Sequence, residues 1–158
     1  AGDFSKGKNE FTPLSFGDHR TGVLICFEIL FPSIASRFVL NGADMLTTLT
    51  NDAWFGYTSA ARQHFSIAVL RAVENRRSLA RAANTGISGF IDPLGNIHDT
   101  TGLFKDKAVI RSIPAIDSIS FYTRHTKHFA VACLIAFCLG FVIKSVKNMR
   151  RESYERRN

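Results

Sequence analysis

The sequence has little cysteine and carries no metal or nucleotide motif. Only three cysteines occur in 158 residues, Cys26, Cys133 and Cys138, and none has the spacing of a zinc site. Such a set does not indicate a disulfide framework. The glycine-rich phosphate-binding motifs of nucleotide enzymes are missing as well. The sequence therefore predicts neither a metal nor a cofactor.

The body of the chain also lacks an excess of positive charge. Residues 1–123 hold 12 Lys/Arg against 11 Asp/Glu, whereas residues 124–158 hold 8 against 2. The high isoelectric point of about 9.7 thus belongs to the tail. Because the body offers no basic stripe, we predict no nucleic-acid partner. With 46% hydrophobic residues, the chain is long enough to bury the core of one globular domain.

The chain begins without Met and without a signal peptide. Its first segment, residues 1–16, is polar with scattered aromatics, a composition typical of the late part of a domain. We therefore expect the chain to be a fragment of a larger protein.

The longest segment without charge is residues 129–143, which is apolar on every helical face. A helix of that length rises about 22 Å, short of a bilayer core of about 30 Å, so a buried core helix is the alternative. Lys127 and Lys144 flank the segment, and snorkelling lysines extend the helix to roughly 30 Å. We favour a transmembrane helix over residues 124–147. Six Lys/Arg follow residue 143, which predicts a cytoplasmic tail over residues 148–158 and a body on the other side.

The remaining pattern alternates strands and helices. A helix is expected from Pro32 to Asn41-Gly42, a loop over residues 51–58 and a long helix over residues 60–77. Asp92-Pro93-Leu94-Gly95 has the residues of a hairpin turn. Strands are predicted over residues 21–26, 44–49, 79–83, 86–91, 96–100 and 108–113. This order indicates α/β layers with a mixed sheet.

Cys26 closes the first predicted strand. A thiol at that position is held rigidly and can be reached from the sheet edge. If a helix follows, its free N–H groups favour a thiolate and can hold an oxyanion, as an acyl-transfer nucleophile requires. Alone, a thiol beside Val, Leu and Ile is more often a small core residue, so the downstream motifs decide.

An ordered set of motifs begins at Cys26. They are Cys-Phe-Glu at 26–28 with Phe31-Pro32, Asn-Asp-Ala-Trp-Phe-Gly at 51–56, Gln-His at 63–64, Arg-Ala-Val-Glu at 71–74, Arg-Ala-Ala-Asn-Thr-Gly at 81–86 and Asp-Pro-Leu-Gly at 92–95. Each motif is weak alone, but together they resemble the apolipoprotein N-acyltransferase family, a membrane-embedded branch of the nitrilase superfamily. The resemblance implies a nitrilase-like αββα sandwich, of which residues 1–123 are the C-terminal part, followed by one transmembrane helix.

The resemblance implies a reaction and its partners. Cys26 matches the family nucleophile, which attacks a phospholipid ester and becomes a thioester; the amine of the diacylglyceryl-cysteine of an apolipoprotein then takes the acyl group. This places the enzyme in the bacterial inner membrane with its catalytic domain in the periplasm. The family Glu and Lys precede the Cys. Glu10, Lys6 and Lys8 sit in no matching motif, so we expect the two residues upstream of this chain and the fragment alone to be inactive.

Two neighbours of Cys26 are further catalytic candidates. The backbone N–H of Phe27 is a candidate oxyanion donor, and Phe27 stands where the family usually has Tyr, without the hydroxyl. The resemblance gives Glu28 a supporting role beside the thiol. Its alternative is a charge at a helix N-terminus.

The loop after the second strand supplies the substrate-binding candidates. They are Asn51, Asp52, Trp54 and Phe55, placed where site loops of α/β sheets gather. Trp54 and Phe55 could wall an acyl-chain groove; the alternative is a packed turn with an aromatic plug.

Four more polar residues are given structural roles. We expect His64 to cap a helix and Arg71 to pair with Glu74 at i, i+3. Arg81 is expected to be scaffold.

Two other functions stay open from the sequence. One is a membrane-tethered amidase of nitrilase type. The other is an inactive truncated domain that binds lipid or partners.

Overall fold

The computed structural model describes residues 10–155. Two compact units make up the chain, Ala1–Arg124 and His125–Asn158. Lys6 and Lys8 lie outside the described residues.

The first unit is built on a mixed six-stranded sheet whose spatial order follows the chain. Its central strands β2, β3 and β4 are parallel, whereas the outer strands pair antiparallel. The strands are β1 Leu14–Phe16, β2 His19–Ile25, β3 Met45–Asn51, β4 Ser78–Asn84, β5 Gly89–Ile91 and β6 Ile97–His98. This confirms the predicted α/β fold with a mixed sheet.

Two crossover helices cover one face of this sheet. Helix α1, Pro32–Leu40, follows β2, and α2, Ala60–Asn75, follows β3. The core between sheet and helices is fully apolar at its centre and consists of Leu24, Ile29, Ala35, Val39, Leu46, Phe65, Ala68, Ala72, Leu79 and Ile91. Alternate residues of the same strands point to the other face of the sheet, which α1 and α2 do not cover. On that face Ile25 and Leu49 are about half exposed.

Several predicted bounds need correction. The strand predicted over residues 108–113 is wrong: the segment forms no ladder, and Ala108 and Val109 lie beside Thr47 and Ala80 on the open sheet face. Ile110 is 96% exposed, so the apolar residues of this segment indicate neither pairing nor burial. The predicted loop over residues 51–58 begins with the last residue of β3 and a 3₁₀ helix, Asp52–Phe55. Strand β1 was missed because only three residues form it.

The second unit consists mainly of one long helix. Helix α4 runs His128–Glu155 after the short α3, Phe121–His125, so the predicted continuous helix over residues 129–143 is confirmed. Side chains from residue 130 to residue 144 are exposed. Within the described part of the chain, no helix combines the length and hydropathy of a membrane span.

Candidate active site

Cys26 lies directly after the carboxyl end of β2. Strand β2 ends at Ile25, and Cys26 opens a 3₁₀ helix, Cys26–Leu30, which confirms the predicted strand–turn position. The backbone of Cys26 is left-handed, with φ of 51°. A non-glycine residue in that region is uncommon and often marks a functional turn. The side chain is partly exposed, so the thiol can be reached from the sheet edge.

Glu28 stabilises the turn that carries Cys26. Its Oε2 accepts a hydrogen bond from the N–H of Ile25 at 2.7 Å. A carboxylate at the start of a helical turn satisfies a free donor there. The sequence analysis left two roles for Glu28, a supporting catalytic residue and a charge at a helix N-terminus. The hydrogen bond to Ile25 corresponds to the second role.

The ends of β3 and β4 complete the same edge. Asn51 and Asn84 are paired in the parallel ladder, and Asn84 Nδ2 donates to Asn51 Oδ1 at 3.3 Å. The same oxygen accepts from the N–H of Ala53 at 3.1 Å, which fixes the start of the following turn. Polar side chains from two strands therefore meet at the same edge of the sheet as Cys26, which follows β2.

Aromatic side chains line this edge. Trp54 is 86% exposed and Phe27 is 54% exposed. The rings of Phe27 and Phe55 meet edge to face with centroids 6.3 Å apart. Such exposed apolar surface next to a thiol suits a hydrophobic substrate, and the proposed groove role of Trp54 and Phe55 remains a prediction.

Asp52 is not placed like the other substrate-binding candidates. It is 2% exposed. Its Oδ1 accepts from His64 Nδ1 at 2.9 Å, and its Oδ2 accepts from Arg81 Nη2 at 2.7 Å. Thr50 Oγ1 adds a third hydrogen bond at 3.1 Å. The carboxylate thus binds protein groups beneath the surface of the site.

The expected helix-capping role of His64 is wrong. His64 lies one turn inside α2 on the buried face shared with Ala61, Phe65 and Ala68. The i, i+3, i+4 spacing of these residues was the available sequence signal, since a polar residue on an apolar helix face requires a buried partner. Arg81 gave a similar signal in β4: it lies two residues from Leu79, and both side chains point to the buried face of the strand.

Burial also affects the electrostatics of Arg81. It lowers the pKa of Arg81, and the charge of Asp52 together with its hydrogen bond opposes that shift. Arg81 is therefore a buried positive charge held by Asp52.

Other candidate charges lie elsewhere. The backbone oxygen of Glu10 accepts from Asn41 Nδ2 at 3.1 Å, after the end of α1 and close to the amino ends of the strands. Glu10 is therefore at the opposite end of the sheet from Cys26. The predicted pair of Arg71 and Glu74 is confirmed at 3.2 Å. Among residues 10–155, no three His, Cys, Asp or Glu side chains form a metal-binding group.

Comparison with known proteins supports the resemblance drawn from the motifs. The apolipoprotein N-acyltransferase of Geobacter metallireducens is 43% identical over 149 residues, which is 92% of this chain and 28% of that protein. The enzyme of the same name from Thermotoga maritima is 36% identical over 150 residues, 94% of this chain and 30% of that protein. The chain thus spans less than a third of the length of these curated relatives.

Solved structures share the fold. The carbon-nitrogen hydrolase of Helicobacter pylori G27 superposes with a TM-score of 0.58 at 17% identity, over 65% of this chain and 43% of that one. An amidase from Nesterenkonia sp. AN1, whose active-site cysteine carries a covalently added acetamide moiety, gives 0.51 at 25% identity, over 63% and 40%. At 17% identity, the likeness to the Helicobacter pylori protein concerns the fold alone.

Residues 4–120 match the carbon-nitrogen hydrolase family. This match covers most of the first structural unit, including the sheet, both crossover helices and the Cys26 edge. The chain therefore belongs to the carbon-nitrogen hydrolase family.

Proposed function

We propose that this chain carries the nucleophile of an enzyme that N-acylates the N-terminal diacylglyceryl-cysteine of bacterial apolipoproteins. The acyl group comes from a phospholipid through a thioester on Cys26. The observation that carries the proposal is the placement of Cys26 in a left-handed turn at the carboxyl end of β2, with an exposed aromatic edge beside it. Relatives of 36–43% identity bear the name of this activity.

The proposed chemistry has two half-reactions. The Cys26 thiolate attacks the phospholipid ester carbonyl, a C–S bond forms, the C–O bond breaks and the lysophospholipid oxygen leaves with a proton. The acceptor amine then attacks the thioester carbonyl: a C–N bond forms, the C–S bond breaks, and the proton lost by the amine returns to the sulfur, which regenerates the thiol. The Phe27 backbone N–H is the proposed donor to the oxyanion, while Asn51, Trp54 and Phe55 are proposed to contact the acyl donor.

We place the proton acceptor and the lysine of the reaction in a segment outside this chain. Glu10 lies at the opposite end of the sheet, next to Asn41. Without a base and a cationic partner, little thiolate forms and the oxyanion is poorly held. The 158-residue chain by itself is therefore proposed to be inactive.

The proposed location is the bacterial inner membrane, with the body in the periplasm and the C-terminus in the cytoplasm. Helix α4 supports it through large apolar side chains that are at least half exposed, among them Leu134, Phe137 and Phe141. Apolar surface of that extent favours a lipid environment by about 25 cal/mol per Å² transferred.

A thioester trap tests the reaction. The enzyme expressed from its complete reading frame is mixed with phospholipid vesicles without an acceptor, digested with trypsin and analysed by mass spectrometry. We expect an acyl mass on the peptide of residues 21–37, which contains Cys26. The adduct should be lost when a diacylglyceryl-cysteine peptide is added, because the amine takes the acyl group.

Matched cysteine variants complete the test. Cys26→Ser should abolish both adduct and turnover, whereas Cys133→Ser in α4 should leave both unchanged. Turnover that persists in Cys26→Ser would overturn the assignment.

An amidase of nitrilase type is the second candidate, favoured by the 25% identity with the Nesterenkonia amidase. In that case small amides, and not phospholipids, would acylate the same peptide.

A further inference from the structure

A buried charged network lies beneath Cys26 and has no part in the half-reactions above. It consists of Asp52, His64 and Arg81, each 4% exposed or less. Asp52 joins the other two through its separate oxygens, at 2.9 Å to His64 Nδ1 and 2.7 Å to Arg81 Nη2. Nδ1 of His64 also lies 3.2 Å from Arg81 Nη2, so all three side chains meet at this nitrogen.

The network is fixed from the side of the sheet. Arg81 Nε donates to the backbone oxygen of Ile87 at 3.1 Å, which orients the guanidinium. Gly86 lies directly against the carboxylate of Asp52: a Cβ at Gly86 would approach Asp52 Cγ to 2.8 Å. Any side chain at position 86 would therefore displace the carboxylate.

A ring contact connects the network to the catalytic turn. The rings of Phe27 and His64 stack with centroids 5.8 Å apart and planes 28° from parallel. Phe55 meets the His64 ring edge to face, also at 5.8 Å. Since Phe27 adjoins Cys26, this contact reaches from the network to the residue next to the thiol.

We propose that Asp52, His64 and Arg81 are positioning residues for Cys26. Asp52 and Arg81 hold the His64 ring, that ring holds Phe27, and Phe27 fixes the turn that carries the thiol. The inference rests on the proposed function in that it takes Cys26 as the nucleophile. It does not depend on the identity of the acyl donor.

The test is a double-mutant cycle between Phe27→Leu and His64→Asn, read as the rate at which iodoacetamide alkylates the peptide of residues 21–37 in the complete enzyme. Asn retains a donor for Asp52 and removes the ring. Each single variant should slow alkylation by about tenfold, which corresponds to about 1.4 kcal/mol. The double variant should also be slowed about tenfold, because both changes break the same contact.

One control variant accompanies the cycle. His19→Asn makes the same change in an exposed His–Asp pair, His19 with Asp44 at 3.1 Å, at the start of β2; it should not alter the rate.

Three results would overturn the proposal: single variants within twofold of wild type, faster alkylation in either one, or about hundredfold slowing in the double variant. If His64→Asn does not fold, the Phe27→Leu variant is measured alone, since Phe27 is half exposed and its substitution should be tolerated. Alkylation of Phe27→Leu at the wild-type rate would then overturn the proposal. Alkylation requires no phospholipid, so failure here is distinct from failure of the thioester trap.

Discussion

At the scale of single residues, the buried ion pair of Asp52 and Arg81 makes substitutions beneath the site costly in folding free energy. Both side chains are essentially inaccessible, with exposures of 1% and 0%. Removing one member of such a pair leaves an uncompensated buried charge, which is far more costly than losing a surface pair. The site therefore tolerates changes at exposed Trp54 better than changes at either ion-pair residue.

Arg81→Met should lower the free energy of unfolding by about 3–5 kcal/mol, because the Asp52 charge loses its partner. Urea denaturation of the wild type and the variant measures the difference. Arg111→Met is the matched control: Arg111 pairs with Asp99 at 2.7 Å on the surface, and its loss should cost less than about 1 kcal/mol. Equal costs for the two variants would contradict the buried-pair account.

The sequence indicates Cys26 more clearly than the network beneath it. An apolar run that ends in Cys, followed by Pro six residues later, predicts a strand, a turn and a helix from local rules alone. Asp52, His64 and Arg81 come from three elements, and their contact depends on the register of β3 against β4 and on the packing of α2. Local patterns show that His64 and Arg81 are buried but not which partner each one finds.

At the scale of elements, α2 carries a second partly buried charged group. Glu74 faces Arg71 on the same helix and Tyr122 from α3. Burial raises the pKa of Glu74 above its ordinary value of 4.5, against the opposing effects of the Arg71 charge and the Tyr122 hydrogen bond. The folded protein therefore binds more protons than the unfolded chain in the pH range just above 4.5.

The stabilisation from protonated Glu74 should be complete below pH 4.5 and should be lost as the pH rises through the raised pKa. Glu74→Gln removes this titration. Its unfolding free energy relative to the wild type should therefore increase with pH across that window. Urea unfolding at a series of pH values measures the trend, with Asp106→Asn on an exposed loop as the control. A difference that does not change with pH would contradict the shift.

The element bounds show where local rules suffice. The turn at Asp92 is confirmed by the hydrogen bond from the Gly95 N–H to the Asp92 oxygen at 3.0 Å. Helix α2 ends at Asn75, two residues before the predicted end, because Arg76 adopts a left-handed backbone with φ of 51°. Neither this cap nor the unpaired course of residues 108–113 has a local sequence signature.

At the scale of the whole molecule, the two units differ in chemistry. Ala1–Arg124 buries its apolar residues in one core, whereas α4 in the second unit presents them outward. An outward apolar helix with basic residues on its C-terminal side is typical of a segment that meets lipid. The exposed members include Val131, Leu134, Ile135, Phe137, Leu139, Phe141, Val142 and Ile143.

If α4 crosses the membrane as proposed, a reporter fused after Asn158 should be active only when the reporter works in the cytoplasm. The six Lys/Arg after residue 143 resist translocation and fix that orientation. Phe137→Arg places a charge in the middle of the apolar segment, at a cost of about 2.5–3.5 kcal/mol for insertion, and should release part of the protein into an alkaline carbonate extract. Lys105→Arg on a surface loop is the control and should stay with the membrane fraction. A reporter active only outside the cytoplasm would reverse the topology and move Cys26 to the cytoplasm, away from a periplasmic lipoprotein substrate. Complete extraction of the wild type by carbonate would instead show that α4 is not a span.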